Sequence, residues 1–217
     1  MATFLIADDH PLYRDAIRGA LMGSFEQLTL LEAADLAKTV EMLHQNKHID
    51  LLLLDLHMPG SGDLFGLIHI RKIFPDVPVA VLSGLEDDDI ISKVLNVGAM
   101  GFVPKTTSAA QICQAVNIML EGGLWLPEGY AVNEVELDTE IAELALKVAS
   151  LTPAQYKVLC YMRDGLLNKQ IAYNLDIATA TVKAHVTGIF KKLHINNLTQ
   201  AVLIASHLQL APPVAGI

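Results

Sequence analysis

Polar residues that could act together stand directly behind short apolar runs in the first half of the sequence. Asp8 and Asp9 follow Thr3 to Ala7, Asp55 follows Asp50 to Leu54, Ser83 follows Val77 to Leu82, and Lys105 comes just after Met100 to Val103. Any one of them alone reads as a turn residue or helix cap. Three carboxylates, a hydroxyl and an ammonium at equivalent positions read as a site. Clustered carboxylates repel unless a cation neutralises them, and oxygen ligands with room for water suit Mg²⁺. Beside such an ion and Lys105, Asp55 can attack a phosphoryl group in line and form an acyl phosphate, with Ser83 hydrogen-bonding a phosphoryl oxygen. That nucleophile needs no base of its own, since carboxylates are ionised at neutral pH.

The runs preceding these residues read as β-strands: Thr3 to Ala7, Leu28 to Glu32, Asp50 to Leu54, Val77 to Leu82 and Met100 to Val103. Helical patterns fill the gaps. Leu51 to Leu54 and Val79 to Leu82 are continuously apolar, as strands covered on both faces of a parallel sheet are. Five such strands with right-handed crossovers predict a doubly wound α/β domain with a parallel sheet. In open sheets of this kind ligands bind beyond the carboxyl ends of the strands, where the polar residues stand.

With 217 residues and 52% apolar content, the chain has room for two packed cores. After a helical stretch around Ala109 to Leu120 come Gly122, Gly123, Pro127 and Gly129, then the acidic stretch Glu134 to Glu143. This reads as a linker. Leu137, Ile141, Leu144 and Val148 predict a helix over 136–149 within it. From Leu151 onward the pattern is four short helices. The expected division is therefore 1–122, a partly helical linker 123–150, and a helical domain 151–217. The net charge of −9 would argue against nucleic-acid binding if it were uniform, but it is segregated. Residues 1–130 hold 8 Lys/Arg against 17 Asp/Glu (−9), residues 131–150 hold 1 against 5 (−4), and residues 151–217 hold 6 against 2 (+4). Cys113 and Cys160 lie in helix-like apolar patterns without metal-ligand spacing and are expected as buried free thiols. No apolar run reaches the roughly 18 residues of a membrane span, and Met1 to Ala7 lacks a basic leader, so a cytoplasmic protein with no membrane partner is expected.

Residues 2 to about 122 resemble the receiver domain of response regulators. The resemblance is carried by Ile6-Ala7-Asp8-Asp9-His10, Leu53-Leu54-Asp55-Leu56-His57-Met58-Pro59-Gly60, Ser83-Gly84 and Gly98-Ala99-Met100-Gly101-Phe102-Val103-Pro104-Lys105. It implies a flavodoxin-like fold, with Mg²⁺ held by Asp8, Asp9, Asp55 and the backbone carbonyl of His57. It also implies phosphorylation of Asp55 by a sensor histidine kinase, with Ser83 as switch hydroxyl and Phe102 as switch aromatic. For Phe102 ordinary core packing is an equal reading. The His57 side chain either faces solvent or shapes water access to the acyl phosphate. Pro104 precedes Lys105, whereas many members place proline after the lysine, which leaves the local peptide geometry open.

In the last third, Thr152 reads as N-cap and Pro153 as the first residue of a helix running to about Asp164, which Gly165 ends. Asn168 is expected to cap a second helix through Leu175. Thr179 is expected to cap a third, carrying Val182, Val186, Ile189, Phe190 and Leu193 at core spacing. Two short helices joined by a tight turn are the anatomy of a helix-turn-helix, and a small helical dimerisation or capping domain is the alternative. The third helix offers Thr181, Lys183, Ala184, His185, Thr187, Lys191 and Lys192, a set suited to phosphates and to base edges of DNA. For Lys191 and Lys192 a merely solvated face is the alternative reading.

Leu151-Thr152-Pro153, Gly165-Leu166-Leu167-Asn168-Lys169-Gln170-Ile171-Ala172, Thr181-Val182-Lys183-Ala184-His185-Val186, Lys192-Leu193 and Thr199-Gln200-Ala201-Val202 resemble the LuxR-type helix-turn-helix. Receiver plus LuxR-type domain is the architecture of the NarL/FixJ subfamily. It implies a DNA-binding transcription regulator that dimerises through the helix matching Leu198 to His207, where Val202, Leu203 and Ala205 offer a small apolar surface. The acidic receiver is expected to lie over the basic domain until phosphorylation releases it. Gln155 and Gln170 stand where glutamate is usual, and Leu198 where arginine is common, which would remove a phosphate contact. Two other classes compete with a non-enzymatic regulator. One is an adaptor whose helical domain binds protein. The other is a haloacid-dehalogenase-like phosphatase, disfavoured because its second aspartate would fall at His57.

Overall fold

Alternating strands and helices build a five-stranded parallel sheet in order β2-β1-β3-β4-β5, from β1 (Ala2–Ala7), β2 (Leu28–Ala33), β3 (Leu51–Asp55), β4 (Val79–Ser83) and β5 (Gly101–Pro104). The structure is a computed structural model that describes residues 2–62, 64–85, 87–130, 143–144, 147–148, 150–208 and 210. Each expected strand is present within two residues of its expected ends, and the order is that of the flavodoxin-like doubly wound fold. Asp55 and Ser83 are the last residues of their strands rather than the first beyond them.

The strand period of two sends alternate side chains to opposite faces. Phe4, Ile6, Leu51, Leu53, Ala80 and Leu82 pack with α1 (Pro11–Ser24) and α5 (Ala109–Leu120). Leu5, Leu52, Leu54, Val79, Val81 and Phe102 belong to the other core, with α2 (Leu36–Gln45), α3 (Leu64–Ile73) and α4 (Asp88–Asn96). β3 and β4 are buried along their whole length, which is why their sequences are unbroken apolar runs.

Past α5 the chain returns to the sheet edge. Trp125 bridges Gly101 in parallel, its N–H donating to the Met100 carbonyl (3.3 Å) and its carbonyl accepting from the Phe102 N–H (3.0 Å). Gly101 permits this approach, because a Cβ there would stand 2.7 Å from the Met119 sulfur and 3.0 Å from the Trp125 carbonyl oxygen. The peptide before Pro104 is trans, as are all peptides among the described residues.

The helical segment contains α6 (Pro153–Arg163), α7 (Asn168–Leu175), α8 (Thr179–Leu193) and α9 (Leu198–His207), with α6 packed on α8 and α9, and α7 on α8. Val158, Leu159, Ile171, Val182, Ile189 and Leu193 are at its centre. Thr152 caps α6 as expected, in a reciprocal pair with Gln155. Two other expected caps are displaced by one residue. Asn168 and Thr179 are the first residues of α7 and α8, not their caps. At α7 the capping runs from inside the helix, where Gln170 Oε1 accepts from the Leu167 N–H (2.8 Å). Gln155 and Gln170 thus do the N3 work for which glutamate is usual. The expected helix over 136–149 lies largely outside the described residues, of which Glu143, Leu144, Lys147 and Val148 are helical. Cys160 is buried and Cys113 partly so, and neither is in a disulfide.

The two parts meet through α3 and α6. Tyr156 is fully buried, its hydroxyl donates to the Gly62 carbonyl (3.0 Å), and its ring lies 4.1 Å from that of Phe65. Leu64, Phe65, Gly66, Leu67, Ile68 and Ile70 are all buried, so α3 is covered on its outer side as well as on the sheet.

Candidate functional site

Parallel register carries the carboxyl ends of β1, β3, β4 and β5 to one edge. Asp55 pairs with Leu82 and Ser83 with Pro104, and the Lys105 N–H donates to the Ser83 carbonyl (2.7 Å). There the Lys105 ammonium lies 2.7 Å from Asp8 Oδ2 and 2.8 Å from Asp55 Oδ2. Asp8, Asp55 and Ser83 have no exposed surface. Burial alone would push Lys105 down, but the hydrogen bond to Asp55, the close contact with Asp8 and the charges of both carboxylates reverse this and hold it above its ordinary value. The ammonium therefore stays charged where it faces the carboxylates. The other Asp55 oxygen, Oδ1, accepts from the His57 N–H (3.1 Å), and Ser83 Oγ accepts from the Leu85 N–H (3.1 Å). Phe102 is wholly buried within the core.

Ligand atoms of Asp8, Asp9, His10 and Asp55 all lie within 4.8 Å of one another. Asp8 Oδ2 and Asp9 Oδ1 are buried yet receive no properly directed hydrogen bond, only the approaches of the Lys105 ammonium and the His10 ring. Buried carboxylate oxygens short of donors, in a set dominated by hard oxygen ligands, fit a divalent cation such as Mg²⁺.

Three neighbours escaped sequence reasoning, all at the start of α1. His10 Nδ1 stands 2.7 Å from Asp9 Oδ1. Arg14 donates to the Asp8 carbonyl (2.6 Å) and pairs with Glu32 (3.0 Å), fixing the acidic loop. Tyr13 lies beneath Lys105, 5.1 Å from ammonium to ring centroid. The spacing His10 to Arg14, one helical turn just past β1, was the available signal.

On α8, Thr181, Lys183, Ala184, Thr187 and Lys191 are exposed and His185 is half-buried. Lys192 is turned inward instead, donating to the Ser150 carbonyl (2.7 Å) and to Gln155 Oε1 (2.8 Å). Gly188 makes room for this, since a Cβ there would come within 2.5 Å of the Gln155 amide nitrogen. The α/β part lies against the basic domain, as expected, but through α6, and it leaves the outer face of α8 open.

On α9 the inward stripe is Ala201, Ile204, Ala205 and Leu208. Ala205 sits on that stripe at i+4 from Ala201 and is fully buried, so it adds nothing to an outer surface. Leu203 and Leu198 are exposed and Val202 is half-buried.

Residues 4–117 match the family model of the response regulator receiver domain, and residues 149–205 match that of the bacterial regulatory proteins of the luxR family. The chain is 39% identical to the glycerol metabolism activator of Pseudomonas putida, over 96% of each. It is 30% identical to the nitrate/nitrite response regulator protein NarL of Escherichia coli, over 92% of this chain and 93% of that one. A solved structure of RcsB from Salmonella enterica serovar Typhimurium, bound to promoter P1flhDC in the presence of phosphomimetic BeF3⁻, is similar with a TM-score of 0.56 at 26% identity, covering 95% of this chain and 98% of that one.

Proposed function

The chain belongs to the response-regulator family, a receiver joined to a luxR-type DNA-binding segment, and on that premise we propose that Asp55 is its phosphoryl acceptor. The chain is a DNA-binding transcription regulator; neither the adaptor nor the phosphatase reading is favoured by a match that spans both parts. The observation that carries Asp55 is its buried carboxylate at the end of β3, held at 2.8 Å by Lys105. An Asp55 oxygen bonds to phosphorus, the bond from phosphorus to the donor's leaving atom breaks (an imidazole nitrogen in a phosphohistidine, an oxygen in acetyl phosphate), and the leaving group departs with the electron pair. Lys105 takes up charge on the transferring oxygens, and Ser83 supplies a hydroxyl for one of them. Asp8, Asp9, Asp55 and the His57 carbonyl would hold Mg²⁺, which neutralises the clustered carboxylates when bound. Phe102, beside the Trp125 bridge, is the candidate switch aromatic.

The division we propose is receiver 1–122, linker 123–150 and DNA-binding domain 151–217, in a cytoplasmic protein that takes its phosphoryl group from a sensor histidine kinase. Thr181, Lys183, Ala184, His185, Thr187 and Lys191 would face DNA, with Lys192 bracing α8 from behind. The active form would be a homodimer through the outer surface of α9, built on Val202 and Leu203. The similar RcsB structure is described as DNA-bound, which supports this use of the helical segment.

Intact-mass spectrometry of the full chain with acetyl phosphate and Mg²⁺ tests the acceptor. One added phosphoryl group is expected, absent from Asp55→Ala and from wild type in excess chelator. Equal modification of Asp55→Ala would overturn it. Sequencing DNA fragments retained with and without the phosphoryl donor tests the coupling of the two domains.

A further inference from the structure

Lys105 has three described side-chain contacts: the carboxylates of Asp8 and Asp55, and the ring of Tyr13. Two of these are groups the reaction engages, since Asp55 becomes the acyl phosphate and Asp8 belongs to the cation cluster. The ring is unchanged throughout. Tyr13 is fixed in the first turn of α1, its N–H donating to the His10 carbonyl (3.1 Å), and its side chain packs against the core shared by α1 and α5. Its hydroxyl is buried and receives no hydrogen bond, so the hydroxyl does not tether the lysine; the face of the ring does. Burial first, then the charges of Asp8 and Asp55, push the phenol up to about 12, so the ring remains a neutral phenol. At 5.1 Å the ammonium is within the range, about 6 Å, over which an aromatic face attracts a cation.

We propose that Tyr13 is a positioning residue for phosphoryl transfer, its ring holding the Lys105 ammonium over the strand ends while the Asp55 carboxylate is converted to the acyl phosphate. This rests on the reading of Asp55 as acceptor. Without the ring, the long lysine side chain has only partners whose charge is being redistributed, and a larger share of its conformers point away from the transferring oxygens.

The test follows the phosphorylation rate of the full chain by intact mass, with acetyl phosphate at saturating Mg²⁺, in wild type, Tyr13→Phe, Tyr13→Leu, Lys105→Ala and Tyr13→Leu with Lys105→Ala. Tyr13→Leu should slow the reaction about tenfold, which is about 1.4 kcal/mol and within the span of partly buried cation–π contacts. Tyr13→Phe keeps the ring and should recover the rate to within about twofold, and in the Lys105→Ala background the leucine should add no further loss. A wild-type rate in Tyr13→Leu overturns the role of Tyr13 and leaves the acceptor intact, because wild type is still modified on Asp55. A loss in Tyr13→Phe equal to that in Tyr13→Leu overturns the ring as the agent. An undiminished effect of the leucine in the Lys105→Ala background overturns action through Lys105. Equal modification of wild type and Asp55→Ala would instead sink the underlying assignment.

Discussion

The strand-end site and the outer face of α8 solve opposite problems. At the strand ends Asp8, Asp55 and Ser83 are wholly buried, and Lys105 is committed to two carboxylates and a ring. On α8 five candidate residues stand exposed. Chemistry on one phosphoryl group needs a preorganised constellation, in which each member depends on the others. Recognition of a long polyanion needs many separable contacts, each contributing a share. Changes in the first region should therefore act as a unit, and those in the second by degrees.

The largest expected effect is at the first: Asp55→Ala should abolish acetyl-phosphate modification, and partial retention would break the contrast at once. Next comes a pair on α8. Lys183→Ala should lower the slope of log affinity against log salt by about 0.9, the value of one phosphate contact. Lys192→Ala should leave that slope unchanged and instead lower the melting temperature, because it strips the Ser150 carbonyl and Gln155 of their donor. Equal slopes for the two variants would mean that α8 does not present the face assigned to it.

How much of this was legible depends on what sets each position. Asp8, Asp55, Ser83 and Lys105 could be read because strand ends are placed by backbone register, and apolar runs announce the strands. Lys192 and Ala205 could not be read in the same way, since both are polar or small residues whose direction is decided by neighbouring helices. Ala205 was within reach, because the spacing of Ala201, Ile204, Ala205 and Leu208 is that of an inward stripe. The meeting of α3 with α6 also left a trace: Leu64 to Ile70 has almost no polar face, the mark of a helix covered all round. The displaced caps at Asn168 and Thr179 reflect a glutamine working from inside α7 and an α8 start with no side-chain cap, neither of which a preference for Asn or Thr before a helix anticipates.

Smaller effects probe the seam between the regions. Tyr156→Phe deletes the hydrogen bond to Gly62 while keeping the ring on Phe65, and a neutral hydrogen bond is worth about 1 kcal/mol net. If docking on α6 restrains the resting protein, unphosphorylated Tyr156→Phe should bind DNA up to about fivefold more tightly than wild type, with the phosphorylated forms converging. Identical affinities would detach the seam from regulation. The smallest effect is at His69, which stacks on Phe65 with its Nδ1 buried and unpartnered. Burial first, then Lys72, lowers its pKa from 6.5, so the folded state binds fewer protons than the unfolded chain. Its contribution to stability is full above pH 6.5 and is lost as pH falls from there through the lowered folded value. Denaturant titrations at neutral and mildly acidic pH should show this loss in wild type and a flatter profile in His69→Gln.

The bridge of Trp125 to β5 gives the molecule an optical asymmetry. The chain has a single tryptophan, and it is hydrogen-bonded to the strand that carries Phe102, one strand removed from Ser83. Indole emission therefore reports on the sheet edge alone, while the helical segment contributes ellipticity but no indole signal. A rearrangement of β5 that disturbs this bridge can be watched as a change in colour or quenching of one chromophore, with the helical segment dark at that wavelength.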